Sequence, residues 1–134
     1  MKPWTKREAK EVRSAILSAW LEVRPTFPNY LDDHAGLRKR FLEKLEKLGR
    51  KEAAAYGLSI LAGRHAHYVR LHEEGAKAWR ENLKNEEIAL RCDANAAEHR
   101  KKLEAVRALM AKLVSLGVPE ELRDFDPTAA APAG

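Results

Sequence analysis

The chain has 134 residues, of which 34% are charged and only 7% aromatic, and it carries a formal net charge of +5. Such a length suits one domain with a modest core. No apolar run reaches membrane-spanning length and no signal-peptide pattern is visible, so the expectation is a soluble, cytoplasmic chain with no membrane contact. A single cysteine, Cys92, excludes an internal disulfide framework and a cysteine-based zinc site. The positive excess is heaviest in residues 1–50, whereas the segment after residue 118 sets Arg123 against Glu120, Glu121, Asp124 and Asp126. A basic front and an acidic tail suit a protein that touches nucleic acid with one end and protein with the other. The same charge also falls within the range of an ordinary small domain.

The first predicted element opens at Thr5-Lys-Arg-Glu8, a capping-box pattern in which hydroxyl and carboxylate satisfy free amides at a helix start. That helix runs to about Val23, with Val12, Ile16, Ala19, Trp20 and Val23 as its apolar stripe. Pro25 and Pro28 break it, and the segment from Arg24 to Tyr30 reads as an extended connector. Asp32 or Asp33 caps a second helix to about Leu48, with Leu37, Phe41, Leu45 and Leu48 inward and Gly49 as its stop. A third helix, from about Lys51 to Glu74, places Ala54, Leu58, Leu61, His65 and Val69 on one face. Tyr56, Ile60 and Tyr68 widen that face, which predicts burial on more than one side, and Gly75 is a candidate stop or kink.

From Ala76 to Lys102 the sequence favours helix but is very polar, with Trp79, Leu83, Ile88 and Leu90 as its sparse apolar points. A closing helix carries Val106, Leu109, Met110, Leu113, Val114 and Leu116 at helical spacing. Gly117 supplies a left-handed stop and Pro119 opens a short turn. The tail after Phe125 has no means of packing and is expected to be disordered. No strand alternation or internal repeat is present.

The fold class expected is therefore all-α: an antiparallel helical hairpin core with a preceding pair of helices, oligomeric and ring-like. Residues 1–30 form the capped helix and connector, 31–125 the helical core and oligomerisation domain, and 126–134 the tail. The two most apolar helices pack antiparallel, with Leu58, Leu61, Val69, Leu109, Leu113 and Leu116 as oligomerisation candidates. The polar stretch between them is of the kind that stays solvated or is covered by a neighbouring copy.

Catalytic signatures are absent, so an enzyme is not expected, nor a cofactor or metal. His65 and His72 share a helix face, but seven residues apart they would need a third ligand such as His99 or Asp93, and they lack adjacent-turn zinc spacing. Buried or partner-bonded histidines explain them better. Cys92 and His99 sit in a polar segment without oxyanion donors. Glu73-Glu74 and Glu86-Glu87 are consecutive, so on a helix they point apart. Basic residues are more suggestive. Lys6, Arg7, Lys10 and Arg13 crowd the first helix, Arg38, Lys39 and Arg40 cluster on the second, and Arg40, Lys44, Lys47 and Lys51 form a stripe able to neutralise phosphates without reading bases. A helix-turn-helix reading of helices two and three is disfavoured, because the second of the pair is apolar over too much of its surface for recognition.

From His34 onward the order of features resembles the terminase small subunit family of tailed bacteriophages. Leu37-Arg-Lys-Arg-Phe41-Leu-Glu-Lys-Leu45-Glu-Lys-Leu48-Gly49 is similar to the family's helix with a central aromatic and a Leu-Gly end, although Phe41 stands where Trp is common. The run from Ala53 to Tyr68, closing at Glu73-Glu-Gly75, resembles its long helix ending in acidic residues and glycine. Leu109 to Arg123 resembles its closing helix, stop and arginine-bearing turn. The segment 76–102 is longer and more charged than the family's linker, and the N-terminal helix with Trp4 and Trp20 has no counterpart there. The resemblance implies a homo-oligomeric ring for viral genome packaging that binds double-stranded DNA and presents it to the large terminase subunit, which holds the ATPase and nuclease. The alternatives from the residues alone are a small all-helical protein–protein interaction or adaptor protein without a nucleic-acid role, and a small dimeric nucleic-acid-binding regulator with sequence-dependent affinity.

Overall fold

The computed structural model describes residues 2–23 (side chains through Ala19), 50–122 and 125, and among these residues it holds three helices and a short 3-10 turn. Helix α1 spans Lys6–Val23, α2 spans Arg50–Glu81, α3 spans Glu86–Leu116, and the 3-10 turn is Glu120–Leu122. No strand occurs among the described residues. The expected second helix with Leu37, Phe41, Leu45 and Leu48, the connector before it and the tail 126–134 lie outside the described residues. The chain divides into two compact units, Met1–Ile60 with Leu109–Gly134, and Leu61–Ala108. The N-terminal helix, expected as a segment of its own, is thus grouped with one end of each long helix.

In the first unit, α1 starts as the capping box dictates. The Glu8 amide donates to Thr5 Oγ1 at 3.1 Å and the Thr5 amide donates to Glu8 Oε1 at 3.0 Å. Ala9, Val12, Ala15, Ile16 and Ala19 are buried along one face, the 3.6-residue periodicity read from the sequence. The small residues on that face permit a close approach to α2. A Cβ added at Gly57 would stand 1.7 Å from the carbonyl oxygen of Ala15, so this glycine is required by backbone proximity. Leu58 and Ala54 on α2 and Leu109 and Leu113 on α3 complete the buried set, with Leu122 from the 3-10 turn.

The closing stop forms as expected. Gly117 has φ +75°, its amide donates to Leu113 O at 3.0 Å, and the Leu122 amide donates to Pro119 O at 3.0 Å. The chain start is tied to this stop. Trp4 Nε1 donates to Gly117 O at 3.1 Å, and Lys112 Nζ reaches Glu8 at 2.7 Å and lies 5.9 Å from the centre of the Trp4 ring.

In the second unit, α2 and α3 run antiparallel, as the cross-helix pairs Glu73–Arg100 and Arg80–Asp93 require. The turn between them differs from expectation. Gly75 neither stops nor ends α2, which continues to Glu81. The stop instead comes just beyond Glu81, where Lys84 is left-handed with φ 53° and the Asn85 amide donates back to Trp79 O at 2.8 Å. Asn85 then caps α3, its Oδ1 accepting from the Ile88 amide at 3.2 Å. The polar segment 76–102 is therefore no separate return element. It forms the distal part of both arms, and its low hydrophobicity matches a core built from Val69, Ala76, Ala89, Ala96 and Val106.

Burial expectations fail on both long helices. Tyr56 and Tyr68, expected to widen the buried face of α2, are exposed at 46% and 43%. Val114 is 74% exposed, because residues 109 and 113 already fill the inward face and 114 lies a further 100° around the helix, and Leu116, the last residue of α3, is 41% exposed.

Candidate nucleic-acid interface and histidine cluster

Helix α1 presents its basic residues to solvent. Lys6, Arg7, Lys10 and Arg13 are all exposed, but they do not form one surface. At 100° per residue, Lys6, Lys10 and Arg13 fall within a narrow stripe, clear of the face holding Val12, Ala15 and Ile16. Arg7 turns away toward Glu11, whose carboxylate it meets at 3.7 Å. The Arg13 guanidinium lies over the Phe125 ring, 4.7 Å from its centre, which orients it without neutralising its charge. Lys51 is exposed at the start of α2 in the same unit. Arg38, Lys39, Arg40, Lys44 and Lys47 lie outside the described residues.

The six apolar positions expected at subunit contacts divide by burial. Leu58, Leu109 and Leu113 are 0%, 4% and 2% exposed within the single chain, and Val69 is also buried. Their apolar surface is already used in the chain's own core, so they offer nothing to a neighbouring copy in this conformation. Leu61 is half-buried and Leu116 exposed. The large apolar side chains that do reach solvent in the second unit are Tyr68, Leu71, Leu83 and Leu90. Periodicity identified which residues are inward, but inward to the chain's own core and inward to a partner look alike in a sequence.

Four aromatic side chains gather where α2 faces α3 in the second unit. His65 Nδ1 and His99 Nδ1 are 3.1 Å apart, with ring centres at 5.4 Å. His72 stacks on His99 at 5.6 Å with a 13° interplanar angle, and Tyr68 stacks on it at 5.0 Å and 26°. Partial burial pushes the His65 pKa down from its ordinary value, assisted by His99 and then by Lys102. The partner-bonded reading of these histidines therefore holds, with His99 as the partner. No sequence spacing on one helix could have found it, because the second nitrogen comes from the other arm.

Asp93, the alternative third ligand, is held instead by Arg80 Nη2 at 2.9 Å. Arg80 also grips Glu86 at 2.8 Å across the turn, and this hydrogen bond holds the Glu86 carboxyl below its ordinary pKa. Among the described residues no group of three or more histidine, cysteine, aspartate or glutamate side chains is placed to hold a metal ion. Cys92 packs against α2, its Sγ standing 3.6 Å from where a Cβ at Gly75 would be. No helix among the described residues is long and apolar enough to cross a membrane. Compared with protein-family models, curated proteins and solved structures, the chain matches none.

Proposed function

We propose that this chain is a non-catalytic DNA-binding assembly protein of the terminase small subunit kind, which holds viral double-stranded DNA for a large ATPase and nuclease subunit. The observation that carries the reading is the exposed stripe of Lys6, Lys10 and Arg13 on a helix whose opposite side is fixed to the body. Positive charges at i, i+4 and i+7 follow a phosphate backbone without reading base edges. The order of helices, the left-handed stop at Gly117 and the turn after Pro119 are the features on which the family resemblance rests. Ring assembly is part of the proposal, with neighbouring copies covering side chains such as Leu71, Leu83 and Leu90.

Binding of this kind is salt-sensitive, log affinity falling with log salt by roughly 0.9 per phosphate neutralised. Titration of the chain with duplex DNA at about 50 and 200 mM salt tests this. The double variant Lys6→Glu/Lys10→Glu is expected to weaken binding and flatten the salt slope. Failure to retard DNA even at low salt, or an unchanged slope in the variant, removes the DNA reading. Native mass spectrometry tests the ring separately, and a monomer refutes it. The adaptor reading is favoured by the exposed leucines of the hairpin. It predicts a discrete protein partner and no affinity for DNA.

A further inference from the structure

The two imidazoles of His65 and His99 meet head-on. Ring centres 5.4 Å apart with nitrogens 3.1 Å apart leave the two Nδ1 atoms nearly on the line between the centres. That is the geometry of an N–H···N hydrogen bond rather than of two lone pairs converging on a metal. Only one hydrogen fits between the nitrogens. In the neutral pair one ring donates and the other accepts. A first added proton enters at the Nε2 of the donor ring and leaves the bond intact, charge-assisted and stronger. A second proton must occupy the accepting Nδ1. It then sets two N–H groups and two positive charges face to face.

The surroundings oppose that second charge. On α2 the groups facing the pair are His72 and Tyr68, both stacked on His99, and on α3 it is Lys102, whose charge acts on His65. Glu73, the residue after His72, is already paired with Arg100.

We propose that the His65–His99 contact is a proton-sensitive clasp that holds the two arms of the hairpin together at neutral pH and releases them on mild acidification. Release occurs because the separated rings accept protons at the ordinary histidine value, near 6.5, whereas the joined pair resists the second proton. The open state binds more protons, so as pH falls below that value its population rises, by up to about tenfold per pH unit for each additional proton taken up. The rings part, the stacks of Tyr68 and His72 on His99 open, and surface between residues 61–72 and 96–106 becomes available to solvent or to a partner.

Imidazole NMR and amide hydrogen exchange on the full chain, from pH 7.5 to 5, test the clasp after correction for intrinsic exchange rates. His65 and His99 are expected to titrate as a coupled pair in two steps, the second coinciding with loss of protection in 61–72 and 96–106 but not in 9–19. His65→Gln and His99→Gln are expected to abolish the pH dependence of that protection. His67→Gln, an exposed position on the same helix, is expected to keep it. Independent single-step titration of His65 and His99 overturns the proposal, as does acid-induced opening that persists in both glutamine variants. Should a variant fail to fold, the titration of the intact chain decides alone. Neither outcome depends on whether the chain binds DNA.

Discussion

Gly57 and Gly63 lie two turns apart on the same helix and make opposite demands. A methyl group at Gly57 would stand 1.7 Å from the Ala15 carbonyl oxygen, whereas one at Gly63 meets nothing within 4 Å. Alanine at either position gains about 1 kcal/mol of helix propensity. At Gly57 that gain is outweighed, because ordinary overpacking already costs about 1–3 kcal/mol and here the obstacle is backbone, which cannot rotate away. Gly57→Ala is therefore expected to lower the urea midpoint and Gly63→Ala to raise it, the latter by roughly 0.5–1 kcal/mol. Equal effects of the two would show that α1 does not approach α2 so closely. Residue identity alone could not separate them, since both are single glycines inside a helical pattern. The distinguishing atom belongs to a residue 42 positions earlier in the chain.

At the scale of elements, the helix ends were more legible than the surfaces. Thr5 with Glu8 and the Gly117–Pro119 stop are local chemistry, and the chain forms both. The end of α2 lies beyond Gly75 because the signal that decides it is Asn85-Glu-Glu-Ile88, which has the cap and first-turn acids of a helix start. Tyr56, Tyr68 and Val114 were expected inward because apolar character was read as burial, whereas large apolar residues are common on protein surfaces. The cap at Thr5 also gives a measurable pH dependence. The Lys112 hydrogen bond, then that from the Thr5 amide, hold the Glu8 carboxyl below its ordinary value of 4.5. A carboxyl with a depressed folded pKa contributes stability that is complete above the unfolded value and lost as pH falls through the folded one. Thr5→Ala is expected to cost about 1 kcal/mol at neutral pH, and Glu8→Gln to remove the part of the acid destabilisation below pH 4.5 that this carboxylate causes. Thermal melts at pH 7 and 3.5 check both. A Glu8→Gln variant that loses as much stability on acidification as the parent would place Glu8 outside the cap.

At the scale of the whole molecule, the two units are built from different core material. The largest fully buried side chains, Ile16, Leu58, Leu113, Val12 and Pro119, all belong to the unit formed by Met1–Ile60 and Leu109–Gly134. The buried residues of Leu61–Ala108 are Val69, Ala76, Ala89, Ala96 and Val106. An alanine removes one methyl from water where a leucine removes a whole isobutyl group, and each buried methylene is worth about 0.8 kcal/mol. The hairpin arms between residues 61 and 108 are thus held by little apolar burial, by the histidine contact and by solvent-exposed ion pairs such as Arg80 with Glu86 and Asp93, and exposed pairs contribute little. Their polar composition, visible in the sequence as the charged stretch 76–102, is the direct cause. Local opening should follow the same division. In native-state hydrogen exchange at neutral pH, amides of 69–81 and 88–100 are expected to exchange by sub-global opening well before those of 12–19, 54–58 and 109–113, which wait for global unfolding. Added urea should accelerate the second group far more steeply, because its opening exposes more surface. Uniform protection and equal urea slopes along both long helices would mean that the alanine-lined arms are stabilised by contacts outside this chain, the outcome expected if neighbouring copies cover Leu71, Leu83 and Leu90.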